Sequence, residues 1–321
     1  MSRTFGAQST TDDVLSGIDL SGRTALVTGA SGGLGAETAR ALASAGASVL
    51  LAARNTDKAG EVAEGIREST GNTELEVVAL DLTSLDRVRA CAKQVLAKHP
   101  HLHLLINNAG VMACPLERTA RGWELQLATN HIGHFLLSGL LAPALRAGAP
   151  ARVVNLSSAG HRLAGLDFDD PHFERRPYDK WEAYGQSKTA NVLFTVELDR
   201  RLSGTGVRAY AVHPGMIMTE LGRHLSPDDI QELMSRTPGG GDALSWKTIE
   251  QGAATSTWAA TAPELAERGG LYCEDVHVAD ERSEEAEIHG YSPHAIDTEA
   301  AERLWSLSEE WVGERFDPGQ P

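Results

Sequence analysis

Arg23-Thr-Ala-Leu-Val-Thr-Gly-Ala-Ser-Gly-Gly-Leu-Gly35 is the stretch that decides the predicted fold. Residues 23–28 are apolar and β-branched, as in a buried strand, and residues 37–45 open as an alanine-rich helix. Glycines between a strand and a helix let the backbone approach a pyrophosphate, which then faces free N–H groups and the positive end of the helix. The stretch therefore predicts a phosphate site.

The spacing of the glycines leaves an alternative open. Gly29, Gly33 and Gly35 give Gly-x-x-x-Gly-x-Gly and not the commonest dinucleotide fingerprint. Residues 29–33 also satisfy Gly-x-Ser-x-Gly, the nucleophile elbow of α/β-hydrolases, with Ser31 as nucleophile. An elbow usually follows several strands, and Gly35 has no purpose in one, so dinucleotide binding is favoured over the hydrolase.

Two later strands end in polar residues. Residues 104–107 lead into Asn107-Asn-Ala-Gly110, and residues 152–156 lead into Ser157 and Ser158. Open α/β sheets bind ligands outside the carboxyl ends of their strands, so we expect these residues near the glycine turn. The alternative is that these residues only form turns or cap helices, where Asn, Gly and Ser are also common.

Tyr184 and Lys188 stand one helical turn apart, where side chains share a face. An ammonium ion stabilises the ionised form of a nearby phenol, which can then exchange a proton with a substrate oxygen. The pair is a candidate catalytic acid, although an amphipathic surface pair has the same spacing.

Together these motifs resemble the short-chain dehydrogenase/reductase family. The resemblance covers about residues 22–219 and includes, in family order, Thr28-Gly-x-x-x-Gly-x-Gly35, Asp81, Asn107-Asn-Ala-Gly110, Asn130, Ser158, Tyr184-x-x-x-Lys188 and Pro214-Gly215. Residues 129–137 (Thr-Asn-His-Ile-Gly-His-Phe-Leu-Leu) and 212–215 (Val-His-Pro-Gly) are similar to the retinol-dehydrogenase and WW-domain-oxidoreductase group. No WW domain is visible.

The resemblance implies a mechanism. Tyr184 would exchange a proton with the carbonyl or alcohol oxygen, to which Ser158 would hydrogen-bond, and Lys188 would favour the tyrosinate and bind the nicotinamide ribose. Asn130 would link Lys188, through water, to a proton relay. The implied cofactor-binding residues are Gly29, Ser31, Gly33, Leu34, Gly35, Arg54, Asp81, Leu82, Asn108, Ala109, Gly110, Tyr184, Lys188, Pro214, Gly215 and Thr219. Proteins of this fold that only sense the dinucleotide typically lack the Tyr or the Lys, so an enzyme is favoured.

The end of the second strand bears on cofactor choice. Arg54 follows Ala53 at about the place where an NAD enzyme carries a ribose-binding acid. Ala53 leaves the 2′ position free, and the Arg54 guanidinium can pair with a 2′-phosphate, which favours NADP(H) over NAD(H). A surface arginine at a helix start would have the same position.

The predicted architecture is α/β, a Rossmann-type doubly wound parallel sheet. We expect a single domain over residues 21–315, an N-terminal extension over 1–20, and a C-terminal substrate lid at about 216–248. The lid contains the flexible stretch Thr237-Pro-Gly-Gly-Gly-Asp242, and residues 275–293 are acidic and irregular.

Composition is typical of a soluble, cytoplasmic enzyme. The chain has 321 residues, 41% of them hydrophobic, and a net charge of −15, which argues against nucleic acid or an anionic membrane as partner. Three cysteines without Cys-x-x-Cys spacing suit a reducing compartment. No segment looks targeted or membrane-spanning, and a homo-oligomer is compatible with the sequence. We interpret His99, His101 and His103 as solvated and expect no metal.

The loop between the catalytic serine and Tyr184 bears on the substrate. It carries Leu163, Leu166, Phe168 and Phe173, while Val111, Met112 and Ala113 follow the fourth strand. These side chains predict an apolar cleft and a largely hydrophobic carbonyl or alcohol substrate, unless they only anchor the loop.

Overall fold

The structure is a computed structural model that describes residues 5–222, 225–236, 246–283 and 289–319. The centre of the described protein is an eight-stranded sheet. The strands are β1 Thr24–Thr28, β2 Ser48–Ala53, β3 Leu75–Ala79, β4 Leu104–Asn107, β5 Ala151–Leu156, β6 Val207–His213, β7 Met216–Ile217, β8 Trp246–Lys247, β9 Leu271–Glu274 and β10 His277–Val278. The sheet has the order β10-β9-β6-β5-β4-β1-β2-β3. Neighbouring strands are parallel except β10, which is antiparallel to β9, while β7 and β8 pair separately. The predicted doubly wound parallel sheet is confirmed.

Helices cover both faces of this sheet. They are α1 Thr11–Leu15, α2 Gly33–Ser44, α3 Thr56–Thr70, α4 Leu85–Lys98, α5 Leu125–Leu127, α6 Gly133–Ala147, α7 Lys180–Arg201, α8 Pro227–Arg236, α9 Ile249–Thr261 and α10 Thr298–Val312. A π-helical turn, Ala128–Ile132, joins α5 to α6. Apolar residues of α4, α6, α7 and α10 form the core on one face, and those of α2, α3 and α9 form the core on the other.

Burial on both faces explains the unbroken apolar strands. In β1, Leu26 belongs to one core, and Ala25 and Val27 belong to the other. β1 pairs with β2 on one side and with β4 on the other, so the chain winds outward from β1 in both directions. A crevice opens where the winding direction changes, outside the carboxyl ends of β1 and β4, which is where ligands bind in such sheets.

Two details differ from the sequence interpretation. Helix α2 begins at Gly33, within the glycine stretch. His103 is not simply solvated, because its Nδ1 accepts a hydrogen bond from the Thr24 amide at 2.9 Å. Among the described residues, no cluster of His, Cys, Asp and Glu has a metal-holding arrangement.

Both ends of the described chain pack onto this domain. Thr11 of α1 donates to Glu37 of α2 at 2.5 Å, and Val14 is buried. Phe316, one residue beyond the predicted boundary, packs edge-on to Phe135 with ring centroids 5.8 Å apart. Within the described ranges, no helix has the length and apolar character needed to cross a bilayer.

Candidate active site

A cavity of about 1240 Å³ lies at the carboxyl ends of the central strands. It brings together nearly all the residues that the sequence singled out: Gly29, Ser31, Gly33, Leu34, Gly35, Arg54, Asp81, Leu82, Asn108, Ala109, Gly110, Ser158, Tyr184, Lys188, Pro214, Gly215 and Thr219. Asn130 is the exception, since it is fully buried and does not line the cavity.

The glycine turn between β1 and α2 has no room for side chains on its inner side. A Cβ on Gly35 would lie 2.4 Å from the Gly29 carbonyl oxygen, and one on Gly29 would lie 2.9 Å from Ala109 Cα. Gly29 and Gly33 have φ values of +69° and +54°, which L side chains rarely adopt. The N-cap of α2 is Gly32, and no side chain caps the helix. The turn therefore fits a pyrophosphate, whose charge the first N–H groups of α2 can bind.

The loop after β4 is fastened to β1. Thr28 Oγ1 accepts hydrogen bonds from the amides of Asn108 at 2.9 Å and Ala109 at 3.0 Å. The Asn108 side chain donates to the Thr28 carbonyl at 2.8 Å. These bonds set the loop against the glycine turn, so the two form one wall of the cavity.

Tyr184 and Lys188 lie on α7, facing the end of β5. The Lys188 ammonium is 5.6 Å from the centroid of the Tyr184 ring and donates to the Leu156 carbonyl at 3.0 Å. Ser157 donates to the Lys188 carbonyl at 2.9 Å and so holds the helix. Ser158 Oγ accepts from the Gly160 amide at 3.0 Å, which leaves its proton available for another partner.

Burial sets the protonation of this pair. It raises the pKa of Tyr184 to about 12, while a hydrogen bond with Ser158 acts in the opposite direction. It lowers the pKa of Lys188 to about 8. We expected the Lys188 ammonium ion to lower the pKa of Tyr184, but burial raises that pKa instead. Tyr184 is therefore a protonated donor at neutral pH.

Asn130 lies behind this group in the π-helical turn. Its Oδ1 accepts from the Val111 amide at 2.8 Å, and its Nδ2 donates to the Val111 carbonyl at 3.0 Å and to Ser187 Oγ at 2.8 Å. The side chain is thus occupied in holding the loop after β4. The relay expected from the resemblance would have to use the Asn130 carbonyl.

Two residues that line the cavity, Lys58 and Thr83, were not singled out from the sequence. Lys58 Nζ lies 3.6 Å from the place where a Cβ on Gly32 would stand, and Lys58 follows Arg54 by four residues. Thr83 donates to Asp81 through its amide at 3.0 Å and its hydroxyl at 2.7 Å. The four-residue spacing of Arg54 and Lys58 could have identified Lys58 from the sequence. The contact between Thr83 and Asp81 could not have been predicted in that way.

The apolar cleft differs from the prediction. Val111, Met112 and Leu163 line the cavity, but Leu166, Phe168, Phe173 and Ala113 do not. The Phe173 ring packs against Tyr178, and the Phe168 ring lies under the Arg303 guanidinium, so both anchor the loop. The apolar wall comes mainly from the predicted lid, through Leu221, Leu225, Ile230, Leu233 and Trp246. The stretch Thr237–Asp242 of that lid lies outside the described residues.

Charge pairs fasten α8, which lies within the predicted lid, to the start of α7. Arg236 pairs with Asp179 at 2.7 Å, and Lys180 pairs with Asp229. Because Asp179 also caps α7, these contacts connect α8 to the helix that carries Tyr184.

Part of the cavity wall is polar, which the sequence did not predict. Lys247 is buried, pairs with Asp275, and packs so closely on Gly215 that a Cβ there would lie 2.7 Å from Lys247 Cδ. Arg162 and Glu274 form a second buried pair at 3.4 Å. The Lys247 side chain, held by Asp275, packs against the Pro214-Gly215 turn.

Comparison with known proteins identifies similar sequences over most of the chain. Retinol dehydrogenase 12 of Homo sapiens is 43% identical over 307 residues, 94% of this chain and 89% of the relative. An oxidoreductase of Streptomyces lividans is 45% identical over 294 residues, 90% of this chain and 97% of the relative.

Solved structures agree with this result. The crystal structure of an uncharacterized protein from Mycobacterium paratuberculosis has 34% identity and a TM-score of 0.74, covering 96% of this chain and 99% of that one. The RhlG/NADP active-site complex of Pseudomonas aeruginosa has 28% identity and a TM-score of 0.62, covering 80% of this chain and 95% of that one.

The short chain dehydrogenase family model matches residues 23–230. The chain therefore belongs to the short-chain dehydrogenase family.

Proposed function

We propose that this dehydrogenase/reductase uses NADP(H) to interconvert a carbonyl and an alcohol on a largely apolar small molecule, with Tyr184 as the acid/base. The observation that carries the proposal is the meeting of Tyr184, Ser158 and Lys188 on the wall of one cavity whose far end holds Arg54 and Lys58. The α/β-hydrolase alternative at Ser31 is dropped, because residues 23–230, which include Ser31, match the short chain dehydrogenase family model. A sensor role is disfavoured, since Tyr184 and Lys188 are both present.

The proton chemistry falls to Tyr184. Its hydroxyl is protonated at neutral pH and can donate to a substrate oxygen during reduction, or receive the proton during oxidation. Ser158 supplies a second hydrogen bond to the same oxygen. The Lys188 charge limits the cost of the tyrosinate that forms.

The cofactor fits the cavity by the chemistry of its lining. The glycine turn and the start of α2 would hold the pyrophosphate, and Lys188 would bond the nicotinamide ribose. Asp81 and Leu82 would contact the adenine. When bound, the nicotinamide supplies the hydride acceptor or donor.

Preference for NADP(H) rests on two cations. Arg54 and Lys58 line the same end of the cavity, and Ala53 ends β2 where an NAD enzyme usually carries an acid. A 2′-phosphate placed there would face positive charge and no carboxylate from β2.

The substrate class follows from the lid. Leu221, Leu225, Ile230 and Leu233 face the cavity, and removing an apolar substrate from water against them is favourable. Human relatives are named retinol dehydrogenases 11, 12 and 13, after an apolar alcohol. We therefore propose an extended apolar alcohol, aldehyde or ketone.

We also propose that the protein works in the cytoplasm, because Cys91, Cys114 and Cys273 are buried and not joined by disulfides, which suits a reducing compartment. Assembly as a homo-oligomer remains a prediction, and sedimentation of the purified protein would decide it.

The test is a series of aldehydes and ketones of increasing chain length, assayed with NADPH and NADH by nicotinamide absorbance. We expect kcat/KM to rise with each CH₂ by up to about fourfold, the equivalent of ~0.8 kcal/mol, until the cavity is filled. Short oxo acids are the matched control. A preference for them, or for NADH, would contradict the proposal.

A further inference from the structure

His134, in the first turn of α6, has both ring nitrogens engaged although the mechanism assigns it nothing. Its Nδ1 lies 3.0 Å from the Asn130 carbonyl oxygen, and its Nε2 lies 2.9 Å from Thr28 Oγ1. The side chain is buried. It therefore connects the π-helical turn with the end of β1.

The partners determine the tautomer. A carbonyl oxygen only accepts, so the proton of His134 is on Nδ1, and Nε2 must accept. Thr28 Oγ1 already accepts hydrogen bonds from two amides. Its own hydroxyl hydrogen is best placed to donate to His134 Nε2, because that atom is 2.9 Å away and the Ile106 carbonyl oxygen is 3.4 Å away. Every donor and acceptor of this buried group is thereby used.

The two partners of His134 hold opposite ends of one loop. Thr28 binds the amides of Asn108 and Ala109, and Asn130 binds both the amide and the carbonyl of Val111. We call residues 108–111 the β4 loop. His134 is the side chain that joins its two holders.

The β4 loop adjoins the catalytic group. A Cβ on Gly110 would lie 3.1 Å from Asn130 Oδ1 and 3.7 Å from Lys188 Nζ. Ser187, which accepts from Asn130, donates to the Tyr184 carbonyl at 2.8 Å. A shift of the loop would therefore alter the space beside Lys188 and the support of the Tyr184 helix.

We propose that His134 is a positioning residue that locks the β4 loop by joining Thr28 to Asn130, and so fixes the cofactor wall beside Lys188. The part about the cofactor rests on the proposed function. The locking of the loop does not, because the loop is held by contacts within the protein alone.

Three variants separate the two bonds of His134. His134→Asn can keep the donor to Asn130, His134→Gln can keep an acceptor for Thr28, and His134→Phe keeps a ring with neither. The matched control is His131→Phe, because His131 is equally buried one turn earlier but bonds Ser308 of α10 at 2.8 Å.

The first readout is amide hydrogen exchange of the free protein over residues 107–113. We expect His134→Phe to accelerate exchange there by tenfold or more, and the Asn and Gln variants by about threefold each, with little change elsewhere. His131→Phe should leave this segment unchanged. Unaltered exchange in all three His134 variants, or acceleration spread evenly over the protein, would overturn the proposal. If His134→Phe does not fold, the Asn and Gln variants decide.

The second readout is NADPH affinity, measured by fluorescence titration. We expect about tenfold weaker binding for His134→Phe and partial recovery in His134→Asn and His134→Gln. Faster exchange with unchanged NADPH affinity would refute the proposal that His134 fixes the cofactor wall, while supporting the proposal that it locks the β4 loop. Failure of the proposed function itself is seen separately, as unaltered turnover in Tyr184→Phe.

Discussion

A substitution at Gly160 should displace the Tyr184 ring, the proposed acid/base, without changing its chemistry. A Cβ built on Gly160 would lie 2.6 Å from Tyr184 Cε1 and 2.9 Å from Cδ1. Carbon atoms pack at about 3.5–4.0 Å, so in Gly160→Ala the ring or the loop must move by roughly 1 Å. A misplacement of about 1 Å at a reacting group can cost about 10²-fold in rate. We therefore expect kcat/KM to fall by roughly that factor.

The assay is steady-state reduction of the best carbonyl substrate with NADPH, together with thermal unfolding. Overpacking of this kind typically costs about 1–3 kcal/mol of stability, so activity is measured where the variant is folded. Gly165→Ala is the control, because a Cβ there meets only the His294 ring, at 3.7 Å. Near-normal activity of Gly160→Ala, with unchanged affinity for NADPH, would refute the placement of the Tyr184 ring or its role.

Three further perturbations follow from the site. Arg54→Ala should weaken NADP(H) binding by about 1.5–3 kcal/mol, the scale of a hydrogen bond to a charged group, and leave NAD(H) unchanged in a fluorescence titration. Arg236→Ala removes the pair with Asp179 and should raise KM for apolar substrates by up to about fivefold with kcat unchanged, an effect that 1 M salt should abolish. Burial lowers the pKa values of His131 and His161 to about 3, so the unfolded chain binds more protons below pH ~6.5. As the pH is lowered below ~6.5, the free energy of unfolding should therefore decrease by at most ~1.4 kcal/mol per pH unit for each histidine. Urea denaturation at a series of pH values measures this decrease.

The parallel sheet was predictable because each strand has a local signal. Residues 24–28 and 104–107 are short apolar runs buried on both faces, and each ends in glycine or amide residues that mark the carboxyl edge. The common edge then brings Gly29, Asn108 and Ser158 to one cavity, as parallel topology requires.

The apolar cleft was only partly predictable, because a sequence does not show which way a loop side chain points. Phe168 and Phe173 are as apolar as the lid side chains that line the cavity. They nevertheless pack against Arg303 and Tyr178, respectively, and fill space away from the cleft. The direction of the Tyr184 pKa shift was also not predictable from the sequence, because burial raises this pKa, whereas the spacing from Lys188 predicted that it would be lowered.

The proposed role of His134 could not be predicted from the sequence for a related reason. Its two hydrogen bonds join Thr28, 106 residues earlier, to Asn130, four residues earlier, and only the folded sheet brings these together. The motif of residues 129–137 was visible, but the purpose of its second histidine was not.

We propose that Tyr184 is the acid/base of a carbonyl–alcohol oxidoreductase, and Tyr184→Phe is the sharpest test of that role. The substitution removes the hydroxyl and keeps the ring, so NADPH affinity and thermal stability serve as internal controls. We predict that kcat falls by about 10²-fold or more while NADPH binding is retained. Turnover near that of the wild type would show that Tyr184 is not the acid/base.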